Sequence, residues 1–385
     1  MEYNTHSPNK ENQEKLFDFT RIYRADPLIL LSTFFLSVFG FVVLYSAGGG
    51  DFNSFALRQI QRFCLIIPLM ILIICINTKF LFKYVYITYF VGLLLLVVAE
   101  VSGSTVLGAK RWVSIGGLNI QPSEVMKIAI ILTLAKYFHN THMYDMRKII
   151  HISLPVIYIA IPCALILAQP DLGTTLILFA TGISIMFCAG INIWFFAFSA
   201  LSALLMMPIL WVNLKSYQQQ RVLTFLNPDS DPLGTGYNII QSKIAVGSGG
   251  LLGKGFLSGT QSHLSFLPES ETDFIFTIIA EELGFAGALI LIILFMIYFF
   301  RALNLAGKCR HQFGKLVILG ISVFLFLHFA INISMVIGLI PVVGAPLPFF
   351  SYGGTMMLIV LVGTALILNM DINRSEFIDS VTLKY

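Results

Sequence analysis

The sequence predicts an all-α polytopic membrane protein of about ten transmembrane helices, with a long extracytoplasmic loop between the seventh and eighth. Three observations predict it. Hydrophobic residues fill 57% of the 385 positions and charged residues only 11%, against about 25% charged in soluble domains; mean hydropathy is +0.84. Apolar stretches of about 18 residues or more recur along the whole chain, each matching the roughly 20 residues that cross a hydrocarbon core. Backbone groups in lipid must bond internally, which selects helices over open strands.

Residues 1–26 are polar and lack the apolar region and cleavage site of a signal peptide, so they read as a cytoplasmic tail. The membrane domain covers 27–372, and 373–385 form a second cytoplasmic tail. Spans are expected at 28–47, 57–76, 80–99, 121–138, 150–168, 172–190, 193–212, 277–300, 315–340 and 350–370. With the N-terminus inside, fifteen Lys and Arg fall on the cytoplasmic side and eight outside, with Lys127 in a span. That asymmetry follows the positive-inside rule. The five cysteines are scattered without a CxxC pair and read as small buried hydrophobes.

Six of the eight outside cations lie in two loops, 100–120 and 213–276. They either bind something anionic or pair with phospholipid headgroups. In the first loop, Lys110, Arg111 and Trp112 join a cation pair to an interfacial aromatic, suited to a phosphate beside a lipid chain. Pro122 suits the first position of a helix. Gln121 and Ser123 then flank the helix start, and Glu124 and Lys127, three apart, can pair on one face. Ionisable groups in a span are costly and usually mark function; a structural ion pair is the other reading. In Gln169-Pro170-Asp171, Asp171 reads first as an N-cap.

The long loop carries Arg221, turn-forming Asn, Pro, Asp and Gly clusters, and a glycine-rich run with Gln241, Lys243, Ser248 and Lys254. It does not match a P-loop, which needs Ser or Thr after its Gly-Lys. Bare N–H groups there could still cradle a phosphate; flexible packing at the membrane surface is the plainer alternative. The loop ends in four acidic residues, Glu269, Glu271, Asp273 and Glu281, more than helix capping requires. Asp273 is the best single candidate for a base. The stretch 338–354, with Ser351, has three prolines and several glycines, and reads as an irregular or re-entrant segment.

These motifs resemble those of the SEDS family (shape, elongation, division and sporulation). GAKRWVSIGGLNIQPSEVMK, AQPDLGTTL, NPDSDPLGTGYNIIQSKIAVGSGGLLGKG, PESETDFIFTIIAEELG and PVVGAPLPFFSYGG occur in the family's order. DPLGTGYNIIQSKIAVGSGG and PVVGAPLPFFSYGG resemble the elongation member rather than the division member. The resemblance implies an inverting peptidoglycan glycosyltransferase of the bacterial inner membrane. It would polymerise lipid II into glycan strands with undecaprenyl pyrophosphate as leaving group. It further implies a class B penicillin-binding protein, the transpeptidase, as partner, together with other elongation-complex proteins and no nucleic acid. Asp273 is implied as the essential aspartate, and Glu124–Lys127 as a pair beside a central cavity. A divalent cation is an alternative neutraliser of the leaving group, although no metal motif is present. Glu271 stands where relatives often carry a basic residue. Two rivals remain at this level: a lipid II transporter or flippase, and a non-catalytic membrane scaffold for the transpeptidase.

Overall fold

The computed structural model describes residues 17–106, 109–115, 118–141, 149–213, 216–230, 235–260, 269–376 and 378. Three helices open the chain: α1 (Pro27–Ala47), α2 (Ala56–Cys75) and α3 (Thr78–Ser102). Asp26 and Asn77 cap α1 and α3, their side chains accepting backbone N–H groups of the first turn. A three-stranded antiparallel meander follows, β1 (Ser104–Val106), β2 (Ala109–Ile115) and β3 (Leu118–Ile120). Then come α4 (Pro122–Asn140), α5 (Ile149–Ala168), α6 (Leu172–Cys188) and α7 (Ile193–Asn213).

The connection after α7 is partly helical, with α8 (Ser216–Leu226) and α9 (Thr235–Ser248). The chain re-enters the bundle through α10 (Ile275–Glu282), α11 (Gly284–Lys308), α12 (Gln312–Val336) and α13 (Gly354–Ile372). Among the described residues, seven helices are long and apolar enough to cross a membrane: α1, α2, α3, α5, α11, α12 and α13. The other three expected spans are also helical, but α6 and the apolar part of α7 are shorter. Helix α4 carries Glu124, Lys127 and Lys136 on an otherwise buried cylinder. Glu124 and Lys127 pair inside the bundle, and Lys136 donates to the carbonyl oxygens of Phe82 and Lys83.

One expected span is interrupted, and the expected irregular segment is present. The segment 277–300 breaks at Leu283–Gly284, where Gly284 takes φ +63° and a Cβ would stand 2.3 Å from the Gly253 nitrogen. Only glycine allows that backbone approach. Helix α12 stops at Val336, and 341–353 run without helix to α13. Irregular backbone at this depth is tolerated because protein covers it: Ala345, Leu347 and Phe350 are fully buried. Phe349 and Phe350 each pack 6.1 Å from the Phe295 ring of α11. Helices α12 and α13 form the centre, with α4 and α6 against α12 and α2 against α13. Helix α7 faces outward along most of its length.

Candidate active site

A cavity of about 710 Å³ opens at the end of the bundle where α4 and α6 begin. Six groups of side chains build most of its wall. The meander contributes Trp112, and the start of α4 contributes Gln121 and Glu124; Pro170 to Thr174 come from the turn into α6. Helix α8 adds Gln218 and Arg221, the acidic loop adds Glu269, Thr272 and Asp273, and the irregular segment adds Pro341–Gly344 and Tyr352.

Asp273 is held by its backbone. Asn332 of α12 donates to its carbonyl oxygen at 2.8 Å and to that of Ala345 at 2.7 Å. Ser351 donates to the Thr272 carbonyl oxygen at 2.6 Å, and the Tyr352 N–H to that of Glu271 at 2.8 Å. The acidic loop is thus stitched to the irregular segment on three consecutive residues. Gly344 completes the seat: it takes φ +73°, and a Cβ there would lie 3.2 Å from the Asp273 carboxylate. Burial pushes the Asp273 carboxyl up to about 7; Glu269 and Asp171 add to this, and Arg221 opposes it. The site therefore holds a carboxyl that gains and loses a proton near neutrality.

Below it, Lys127 Nζ lies 2.6 Å from Glu124 Oε1 and 3.0 Å from His328 Nε2. The other nitrogen of His328 faces the Pro346 carbonyl oxygen at 3.2 Å. That pairing assigns a neutral ring with hydrogen on Nδ1 and a lone pair toward the lysine. Glu124 and His328 both reach the cavity. Glu124 Oε2 is buried with no hydrogen-bond partner among the described residues, so an unfilled acceptor lies in the wall beside the cavity.

The structure brings Trp112, Gln121, Glu124, Arg221, Glu269 and Asp273 together. The side chains of Lys110 and Arg111 lie outside the described residues. The other expected binding residues sit elsewhere. Ser123 and Lys127 are buried in α4 behind the wall. Ser351 spends its hydroxyl inside the protein, donating to Thr272 and accepting the Leu347 N–H. Ser248 donates back to its own helix at Ala245. Lys254 is committed to Glu281 at 2.6 Å and to Thr260. Lys243 lays its stem over Gly338, and Gln241 lies on α9 outside the lining. The glycine-rich run is therefore a packed segment, latched to α10 by Glu281 and Glu282. Glu282 takes the Ser46 hydroxyl at 2.6 Å. Asp171 does cap α6 through Thr174, as expected, and also faces the cavity.

His328, Asn332 and Tyr352 were not singled out from sequence. They sit within apolar or glycine-rich runs, and only the i, i+4 spacing of His328 and Asn332 marks a shared polar face. Among the described residues no group of three His, Cys, Asp or Glu has the geometry to hold a metal ion.

A multi-pass helical bundle with a cavity at its end, lined by Asp273, Glu269, Glu124 and Arg221, defines a polytopic membrane protein with a charged site set in a largely apolar wall. The chain belongs to the FtsW/RodA/SpoVE family of cell cycle proteins, whose model matches residues 27–376. It is 38% identical to the peptidoglycan glycosyltransferase MrdB of Escherichia coli K12, over 98% of this chain and all of that one. It is 32% identical to the peptidoglycan glycosyltransferase RodA of Treponema pallidum, over 90% and 97% of the two chains. A chain from a solved peptidoglycan synthase complex, described as coordinating polymerization and crosslinking, superposes with TM-score 0.78 at 31% identity. The RodA crystal structure from Thermus thermophilus superposes with TM-score 0.68 at 26% identity. Each covers 94% of this chain and 99% of its own.

Proposed function

We propose that this chain is a peptidoglycan glycosyltransferase that polymerises lipid II during cell elongation, with Asp273 as general base and the cavity on the extracytoplasmic side. Asp273 accepts the proton of the acceptor's C4 hydroxyl. That oxygen bonds to C1 of the donor sugar as the C1–O bond to undecaprenyl pyrophosphate breaks, with inversion. One base suffices for such a displacement. A base works best with a pKa near the operating pH, and the seat of Asp273, half-buried and open to the cavity, is the observation that carries the reading. Arg221 is the cavity-lining cation that meets the developing negative charge. The relatives' names support the activity, and the synthase complex among the structural neighbours supports a transpeptidase partner.

Transport of the same lipid is disfavoured by the floor of the cavity. Beneath Lys127 the bundle closes with Phe324, whose ring lies 5.3 Å from Nζ, and with buried Ile131. The test is purified full-length protein with lipid II. Wild type forms polymer and Asp273→Asn, at equal expression and folding, does not. Equal polymer from both sinks Asp273 as the base, and none from wild type with its partner present sinks the activity.

A further inference from the structure

Arg62 is a cation the reaction above does not use, and its surroundings are unusual. It sits six residues, about 9 Å, inside the start of α2, at the end of the bundle that holds the cavity. Charged groups at such depth are costly unless they meet an opposite charge or a polar cavity. No carboxylate pairs with Arg62 among the described residues. Its guanidinium instead lies over the Tyr352 ring, with Cζ 4.4 Å from the centroid. One amino group donates to the Tyr352 hydroxyl at 3.1 Å and another reaches Gln59 at 3.5 Å. A guanidinium has five donors, so most of its fork is left unfilled by the described residues.

The rest of the arrangement holds that fork in place. Gln59 is fully buried. It donates to the Ser351 carbonyl oxygen at 3.3 Å and accepts the Gly353 N–H at 3.4 Å. Helix α2 is thereby fastened to the irregular segment beside Tyr352 and Gly353, both of which line the cavity. Because the Tyr352 oxygen accepts from Arg62, its own proton is free to be donated to a further acceptor. A guanidinium and a phenol O–H, side by side, form a donor pair matched to a phosphate oxygen.

We propose that Arg62 and Tyr352 bind the phosphate of a polyprenyl-linked ligand beside the cavity that Tyr352 lines; this rests on the glycosyltransferase reading for the ligand's identity. Bilayer phospholipid offers the same phosphate chemistry at a similar depth, and the experiment separates the two. Binding of undecaprenyl pyrophosphate to the purified full-length protein is measured in phospholipid-free detergent micelles, with undecaprenol as the phosphate-free control. Arg62→Gln, checked by thermal melting, is expected to weaken the pyrophosphate by about tenfold or more and to leave undecaprenol unchanged. Arg62→Lys recovers part of the loss, since charge returns without the fork, and Tyr352→Phe loses a smaller factor. In polymerisation assays Arg62→Gln raises the KM for lipid II with kcat within about twofold.

Equal pyrophosphate affinity in wild type and Arg62→Gln overturns the proposal. So does a defect that is absent in micelles and present only in anionic phospholipid vesicles, which assigns the site to bilayer lipid. Arg62-dependent binding by a wild type that forms no polymer leaves this site standing and removes the polymerase reading instead.

Discussion

Asn332 and Asp273 are joined by a 2.8 Å hydrogen bond from the asparagine amide to the aspartate's backbone carbonyl. The same amide nitrogen holds Ala345 at 2.7 Å. One buried side chain therefore fixes the distance between the proposed base and the segment that forms its seat. Removing it leaves two carbonyl oxygens without their donor, at about 1–3 kcal/mol, and frees the carboxylate to drift. Small misplacements of a reacting group cost rate more than binding. Asn332→Ala is expected to lower kcat for lipid II polymerisation by about tenfold or more with KM little changed. Asn332→Asp, which turns a carboxylate toward two carbonyl oxygens, should be worse.

The elevated pKa of Asp273 makes two pH predictions of definite sign. A base must be ionised to accept a proton, so polymerisation should rise with pH and level off above about 7. Stability runs the other way. In the unfolded chain the carboxyl titrates near 3.8, and in the fold near 7. Below both values it is neutral in both states and costs nothing. As pH climbs between them the fold increasingly bears a buried charge, and the cost is complete above 7. Asp273→Asn, neutral throughout, should melt about 3 °C higher than wild type at pH 8 and close to wild type at pH 4, while forming no polymer at either.

Glu124 and Lys127 test whether a buried pair serves the fold or the chemistry. Both are almost fully buried and meet at 2.6 Å. Breaking such a pair from one side strands a charge and costs about 3–5 kcal/mol, whereas replacing both partners by apolar residues is often neutral. Glu124→Leu and Lys127→Met alone should each reduce folded yield sharply. The double variant should recover the yield in detergent, read by size-exclusion profile. Its polymerase activity should stay low, because the unfilled Glu124 Oε2 beside the cavity is gone. Full activity in the double variant would make the pair purely structural.

Much of this architecture was legible in the sequence because membrane spans are written in hydropathy. Every expected span is helical over most of its length, and Pro122 and Asp171 open α4 and α6 where their chemistry places them. The strands β1, β2 and β3 were not anticipated, since they are short and lie in a stretch that reads as loop. Nor was the break at Gly284, which sits just after Glu281 and Glu282 in a stretch whose hydropathy still reads as one span. The candidate site divides along the same line. Asp273, Glu124 and Arg221 stand out as charges in unusual places. Lys254 stands out equally but is spent on Glu281, and only tertiary pairing distinguishes a free cation from a committed one. Asn332 and His328 are the converse: polar residues in an apolar helix, whose importance comes from what the irregular segment places against them.

That segment is also gripped from α6, and the contact gives a last test. Gly173, one residue into α6, packs so closely on the irregular chain that a Cβ would stand 2.2 Å from the Val343 carbonyl oxygen. The obstacle is backbone, so it cannot swing aside as a flexible side chain would. Gly173→Ala must push 342–344 away from α6. Gly344 is the residue against which the Asp273 carboxylate rests, so the displacement passes directly to the proposed base. Helix propensity alone would favour the alanine by roughly 1 kcal/mol, and the overpacking costs about 1–3 kcal/mol. The net effect on melting temperature should therefore be small, while kcat for polymerisation falls about tenfold or more. A second substitution offers a control. Gly307→Ala meets no neighbour within 4 Å and lies near the opposite end of α11. It should leave both stability and rate near wild type. A normal rate in Gly173→Ala would mean that the seat of Asp273 is not set by this contact.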